Sequence, residues 1–359
     1  GELGIGEDVR MLALAMKAAE IPFCIINVEP GKNVSQNDHS VKHWISQSPR
    51  FSINIFCMTG IEQCRLICEQ GINLLNNHYN IGLWPWELPQ WPEPWEHCFH
   101  LVDEIWGISH YTAQAYGKAP IPVHPMPLPV VINEISARQR KDWNLPEHAY
   151  LFVFSFDMNS TLSRKNPEGV IKAFLQAFPT QTASEVGLVL KVSHLNSINP
   201  AWKKLAALIK QDKRIHLFSE ELRRPDVLSL YRSCDCYISL HRAEGFGRGL
   251  AEAQLLGLKL ITTGYSGNMD FCNEAPTLQV KYQLKPLVTG EYFYGESQLW
   301  AEADIGHAAQ LMRQCLQQQL PQLPVQYNTV QFSPSHCGKV FKQRLEKIAG
   351  ININNNKRI

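Results

Sequence analysis

No long basic run, no long apolar stretch and no Cys-x-x-Cys pair occurs in these 359 residues. Lys and Arg number 34 against 33 Asp and Glu, a formal net charge of +1. That balance offers none of the basic surface that a nucleic-acid phosphate backbone requires, so nucleic acid is excluded as a partner. No segment approaches the roughly 18 consecutive apolar residues of a membrane span. The basic, amphipathic stretch Trp202 to Lys210 leaves two readings open, peripheral membrane contact or a core-facing stripe. Ten cysteines are scattered without metal-ligand or disulfide-framework spacing. His97, Cys98 and His100 cluster near several tryptophans, but a fourth ligand at sensible spacing is missing, so they read as packing and no metal is expected. No secretion signal is visible, which makes the cytoplasm the expected compartment, at the inner face of the membrane if peripheral contact is made.

What is present is an alternation. Strand-like runs at Phe23 to Val28, Phe51 to Met58, Tyr79 to Trp84 and Glu104 to Ile108 are interleaved with helical stretches at 8–20 and 61–71. The proline-rich segment Pro120 to Pro129 should be extended, and a second alternation starts at Leu151 to Phe156. It continues with a helix from Pro167 to Phe178 and strands at Leu188 to Val192, Ile215 to Phe218, Cys236 to Leu240 and Lys259 to Thr263. Strand and helix in turn imply parallel, doubly wound sheets. The expected domains are 1–140, with a first strand that lies ahead of Gly1, then 141–317, then a C-terminal extension 318–359 that carries a helix near 337–348 and packs back on the first domain. The last ten residues are expected to fray. Between Trp84 and Trp95, prolines break both helix and strand, giving an aromatic loop suited either to stacking on sugar rings or to a hydrophobic lid or interface.

Two constellations carry chemistry. Leu240 to Ala253 places Glu244 and Glu252 eight residues apart around Gly245, Gly247 and Gly249, between a strand and a helical stretch. A helix starting there presents unpaired N–H groups and a positive dipole end to an anion, and glycines let a diphosphate approach the backbone. Eight helical residues span about 12 Å, so the two carboxylates can address opposite ends of one elongated ligand. The alternatives are a dipole-complementing glutamate and a solvated one. Similarly, Arg164-Lys165-Asn166-Pro167 enters a helix after the second domain's first strand, and its two cations could neutralise a diphosphate in the same crevice.

Taken in order, Gly4-Ile5-Gly6-Glu7-Asp8-Val9-Arg10, Trp86-Glu87-Leu88-Pro89, Val102-Asp103-Glu104-Ile105-Trp106, Arg164-Lys165-Asn166-Pro167, Glu244 to Glu252 and Gly264-Tyr265-Ser266-Gly267-Asn268 resemble retaining glycosyltransferases of family 4. The resemblance covers nearly the whole chain. It implies an α/β fold of the GT-B type, two Rossmann-like doubly wound domains facing each other across a cleft. It further implies a nucleoside-diphosphate sugar as donor, no cofactor, and a glycan or lipid-linked saccharide on a bacterial polysaccharide pathway as acceptor. In that frame Glu252 binds the ribose hydroxyls and Glu244 contacts the transferred sugar. Arg164 and Lys165 hold the diphosphate, with backbone N–H groups around Gly245, Phe246 and Gly247. Ser219 and Glu220 flank the base, Gly4 and Gly6 line the cleft as a glycine loop, and Glu87 faces the acceptor. One departure is Phe156-Asp157, where many relatives carry Gly-Arg. No Asp-x-Asp triplet occurs, consistent with a metal-independent transfer of a hexose from GDP-mannose or a UDP-sugar. Two other readings stand beside this one: a sugar- or nucleotide-binding protein that kept the fold without turnover, and a dinucleotide-dependent oxidoreductase.

Overall fold

The computed structural model describes residues 4–29, 36, 38–179, 185–273, 277–317 and 330–356, the last six as backbone only. The chain divides into two compact units, one made of 1–86, 90–131 and 328–359 and the other of 87–89 and 132–327.

In the first unit the opening segment is helical. Helix α1 runs Gly4–Ala18, so Gly4 and Gly6 lie in its first turn and not in a glycine loop, a correction to the sequence expectation. The hydrophobic repeat of Met11, Leu12, Ala15 and Met16 buries one face of α1 and extends the helix back across both glycines. Strands β1 (Ile25–Ile26) and β2 (Ile45–Ser46) form a short parallel pair. A separate parallel sheet has the order β3 (Ile53–Cys57), β4 (Tyr79–Leu83), β5 (Glu104–Gly107), β6 (Val123–Pro125). Helix α2 (Gly60–Gln70) starts at a capping box, Thr59 accepting from the Glu62 amide while Glu62 accepts from the Thr59 amide; α3 is His110–Ala115.

In the second unit the strands are β7 (Tyr150–Asp157), β8 (Val186–Ser193), β9 (Ile215–Phe218), β10 (Cys236–Ser239), β11 (Lys259–Thr263) and β12 (Thr277–Val280). All pair in parallel, in the order β12-β11-β10-β7-β8-β9. Nearly every residue of the central strands is buried, as expected of a parallel sheet covered on both faces. Helices α4 (Leu162–Lys165), α5 (Pro167–Ala177), α6 (Pro200–Ile209), α7 (Arg224–Arg232), α8 (Arg248–Leu255), α9 (Met269–Cys272) and α10 (Ile305–Leu316) connect or follow these strands. In α6, Trp202, Leu205 and Ile209 are buried, which assigns its apolar stripe to the core. An antiparallel hairpin, β13 (Tyr282–Pro286) and β14 (Leu299–Ala303), lies between β12 and α10.

The chain returns to the first unit with α11 (Pro334–Asn356), which packs on α1 and continues past the expected end near 348. Arg344 of α11 is ion-paired with Glu104, a fully buried carboxylate that also accepts from Trp106 Nε1 at 2.6 Å and Tyr79 Oη at 3.0 Å. Burial works to raise the Glu104 carboxyl, but the Arg344 guanidinium and the hydrogen bonds from Trp106 and Tyr79 together outweigh it and hold it below its ordinary range. The Gln- and Pro-rich stretch 318–329 lies outside the described residues. Among the described residues, no helix is long and apolar enough to cross a membrane.

Three of the four tryptophans of the aromatic loop are withdrawn from solvent, while Trp95 is half-buried. Trp84, Trp86 and Trp91 are buried and pack on one another, with Trp84 stacked on Trp91 at 5.7 Å and Trp86 edge-on to Trp91 at 5.2 Å. Their faces are spent inside the unit and are not available for stacking on a sugar.

Candidate active site

Counted within the second unit, the sheet order places the first strand, β7, beside the fourth, β10, with successive strands running outward on either side. Chains leaving these two neighbours therefore diverge, and open parallel sheets bind ligands in the crevice at the carboxyl ends of such strands. Arg164 and Lys165 follow β7, and Glu244 follows β10. Their convergence is thus a consequence of topology.

The contacts are short. Lys165 Nζ lies 2.5 Å from Glu244 Oε1, and Arg164 Nη1 lies 3.1 Å from Glu244 Oε2. Arg164 also donates to the Ala243 carbonyl at 3.0 Å and stands 3.5 Å from Glu87 Oε1. Tyr292, in the loop between β13 and β14, donates its phenol proton to Glu87 Oε2. Arg164 is 5% and Glu244 8% exposed, while the Lys165 side chain is 21% exposed. Of the two cations, Lys165 is the one a ligand can reach.

Local structure fixes these positions. Asn166 takes a left-handed conformation, φ 53°, ending α4 and capping α5 by accepting from the Gly169 amide at 3.1 Å, while its own Nδ2 donates to the Leu240 carbonyl at 2.9 Å. One asparagine thereby ties the Arg164-Lys165 segment to the end of β10. Arg242 reinforces the link: its amide donates to the Arg164 carbonyl at 2.8 Å, and its guanidinium holds Glu302 through two hydrogen bonds of 2.9 and 3.0 Å. On the far side of Glu244, its amide donates to Ser266 Oγ at 2.9 Å and its carbonyl accepts from the Gly267 amide at 2.9 Å.

Beneath lies His241, fully buried. Asn268 Nδ2 donates to the Thr263 carbonyl, which leaves its Oδ1 to accept from His241 Nε2 at 3.0 Å; Nδ1 then accepts from Ser239 Oγ at 3.0 Å. Burial lowers the His241 pKa from its ordinary value, so the ring serves as a neutral strut.

The charges decide the ionisation of Glu244. Burial pushes its carboxyl up, but Lys165 and Arg164 outweigh it and bring the pKa down to about 2, from an ordinary 4.5. A group depressed in this way contributes stability above its unfolded pKa, near 4.5, and loses it as the pH falls towards 2. Urea unfolding should therefore show the native chain losing stability relative to Glu244→Gln between pH 5 and pH 3; parallel curves would disprove the coupling.

Only one of the two glutamates lies on the helix. Glu244 precedes α8, which begins at Arg248, so the eight-residue separation is part loop and part helix and not the continuous helix to which the span of about 12 Å applies. Gly247 caps the helix with φ 92°, a conformation costly for any side chain. Gly249 is fixed by packing: a Cβ there would lie 2.5 Å from Tyr237 Oη. Gly249→Ala should destabilise by about 1–3 kcal/mol despite its better helix propensity. Tyr237→Phe should recover part of that loss, as measured by chemical denaturation; an equal loss in both backgrounds would refute the contact.

The remaining positions are distributed. Glu252, 5% exposed, is ion-paired with Arg224 of α7 at 2.9 Å. Gly245 and Phe246 form the loop into α8, with the Phe246 ring packed on Phe271 at 5.1 Å. Ser219 and Glu220 follow β9 at the sheet edge. Near them is a residue the sequence did not flag, Lys191, which is 2% exposed. Its Nζ donates to the Val192 carbonyl at 3.1 Å and Ser193 Oγ at 3.2 Å. Burial lowers its pKa, against the pull of Glu221 and Glu220. Gly4 and Gly6 belong to the other unit.

Comparison with known proteins agrees with this architecture. Residues 136–278 match the family model of glycosyl transferases group 1. No curated protein matches the sequence. Among solved structures, the chain is similar to Alr3699/HepE from Anabaena in complex with UDP and glucose, with TM-score 0.60 and 14% identity over 83% of this chain and 78% of that one. It is also similar to the pneumococcal O-GlcNAc transferase GtfA in complex with UDP and GlcNAc (0.57, 12%, 83% of this chain and 57% of that one). A third similar structure is the trehalose 6-phosphate synthase of Burkholderia multivorans (0.56, 12%, 78% and 69%). The fold is that of GT-B glycosyltransferases, built from parallel-sheet α/β units.

Proposed function

We propose that the protein is a retaining, metal-independent glycosyltransferase that moves a hexose from a nucleoside-diphosphate sugar to a glycan or lipid-linked saccharide of a bacterial polysaccharide pathway. The observation that carries this reading is the Lys165, Glu244, Arg164 cluster at the carboxyl ends of β7 and β10, beside the start of α8. The complexes of similar proteins with UDP favour a uridine base over GDP-mannose.

With Glu87 and Glu244 ionised, the cluster of two cations and two carboxylates carries no net formal charge. A diphosphate therefore binds by taking the Lys165 ammonium from Glu244 and by facing the amides of the Gly245 to Gly247 loop at the α8 N-terminus. Glu244, released from Lys165 but still held by Arg164, accepts a hydroxyl hydrogen bond from the transferred sugar. As the anomeric C–O bond breaks, its electron pair goes to the phosphate oxygen, where Lys165 and the loop amides stabilise the charge. The acceptor hydroxyl adds on the same face, and its proton passes to the departing phosphate. Glu252 binds the ribose, Ser219 and Glu220 flank the base, and Glu87 orients the acceptor.

A thermal-shift screen of nucleoside diphosphates and their sugars tests this directly, because a ligand at 100 times its dissociation constant adds about 2.7 kcal/mol. Stabilisation by a nucleoside diphosphate, and turnover that Mg²⁺ or Mn²⁺ does not raise, are expected. Stabilisation by NADH alone would move the protein to the oxidoreductases, and binding without turnover would make it a nucleotide-sugar-binding protein.

A further inference from the structure

We infer that Cys64, Cys98 and His97 form a zinc-binding site within the first unit, apart from the proposed transfer chemistry. Sequence spacing offered only His97, Cys98 and His100; the fold leaves His100 out of the group and supplies Cys64 from α2, over thirty residues upstream. The ligand atoms of Cys64, His97 and Cys98 all lie within 4.8 Å of one another. The two sulfurs are 3.5 Å apart, and Cys98 Sγ is 3.9 Å from His97 Nε2. Tetrahedral zinc, with Zn–S near 2.3 Å, sets its sulfurs about 3.8 Å apart, so small adjustments suffice.

A second observation concerns the imidazole. His97 Nδ1 lies 2.9 Å from the Pro94 carbonyl, to which it donates, so Nε2 keeps its lone pair on the side of the sulfurs. This is the backbone anchoring found behind metal-ligating histidines. Both carrier segments are held independently of any metal. Helix α2 is fixed by its capping box and by Gln63, which accepts from Trp84 Nε1 at 2.8 Å; the Pro92 to His97 stretch is fixed by Trp91 Nε1 donating to the Trp95 carbonyl at 3.0 Å.

The donor set selects the ion. Two thiolates and an imidazole suit a soft or borderline cation, not calcium or magnesium. Binding releases two thiol protons and yields a group with no net charge, which suits surroundings where Cys98 is fully buried. His97 is exposed, giving the ion an entry path and leaving a fourth position for water. Occupied, the site would staple α2 to the segment Glu93–Leu101.

Zinc itself is the probe. The whole chain, stripped of metal and kept reduced, is titrated with Zn²⁺ against a chromophoric chelator, and with Co²⁺ to look for thiolate-to-cobalt charge-transfer absorption. One tight equivalent per chain is expected. Cys64→Ser and Cys98→Ser should each weaken it at least 100-fold and abolish the charge-transfer band or shift it, His97→Ala should weaken it about tenfold or more, and His100→Ala should leave it unchanged. If Cys98→Ser does not fold, Cys64→Ser and His97→Ala, whose side chains reach the surface, decide the matter. Absence of stoichiometric binding overturns the inference. So does binding indifferent to Cys64 and His97, or a Cys64–Cys98 disulfide found in place of zinc in chain purified without reductant. None of these outcomes bears on nucleotide binding.

Discussion

Lys165→Ala should lower turnover by about 10² to 10³-fold, the range typical of removing one preorganised group that faces developing charge. The fold should survive, since Lys165 is partly exposed and Glu244 retains Arg164 at 3.1 Å. The loss should fall on kcat more than on KM, because leaving-group charge is greatest in the transition state. Nucleoside-diphosphate release at saturating donor, together with the unfolding temperature, checks both halves. A near-native rate in a folded variant removes Lys165 from the chemistry. Lys165→Arg is expected to restore little, because a planar fork does not replace a compact ammonium 2.5 Å from its partner.

The second large effect is on stability. Arg164→Met should cost about 3–5 kcal/mol, the usual consequence of removing one member of a buried ion pair. The cause is the charge left behind: Glu244 loses one of its two cations, Glu87 loses the guanidinium beside it, and the Ala243 carbonyl loses its donor. Adding Glu244→Gln to Arg164→Met should return a substantial part of that loss, by removing the uncompensated carboxylate. Urea denaturation of the two single variants and the double variant measures the coupling. Strictly additive losses would show that Arg164 acts only by filling space.

Much of the second unit was legible in the sequence because its strands are short apolar runs bounded by turn residues. Ile215–Phe218 and Lys259–Thr263 fall at the expected residues, and β7, β8 and β10 differ from expectation by a residue or two at their ends, whereas β12, β13 and β14 were not anticipated. Arg164, Lys165 and Glu244 were legible as motif, and topology brings them together. Their support was harder to read. His241, Ser266 and Asn268 stood in quoted stretches, yet nothing in spacing says that Asn268 orients His241 across 27 residues. Tyr292 carried no signal at all, since its meaning depends on a contact with Glu87 made across 205 residues. The glycines at 4 and 6 misled because glycine marks turns on average, while the apolar repeat behind them was strong enough to carry helix through both.

The first unit is assembled from three stretches of chain, the last being 328–359, whereas all of the second unit but Glu87–Pro89 is the unbroken stretch 132–327. During synthesis the usual order of domain folding is therefore inverted. The second unit can close as soon as it has emerged, but α1 and the buried Glu104 must wait for α11 and its Arg344, which follow it in the chain. Until then the nascent chain carries an acidic group in an apolar setting without its guanidinium.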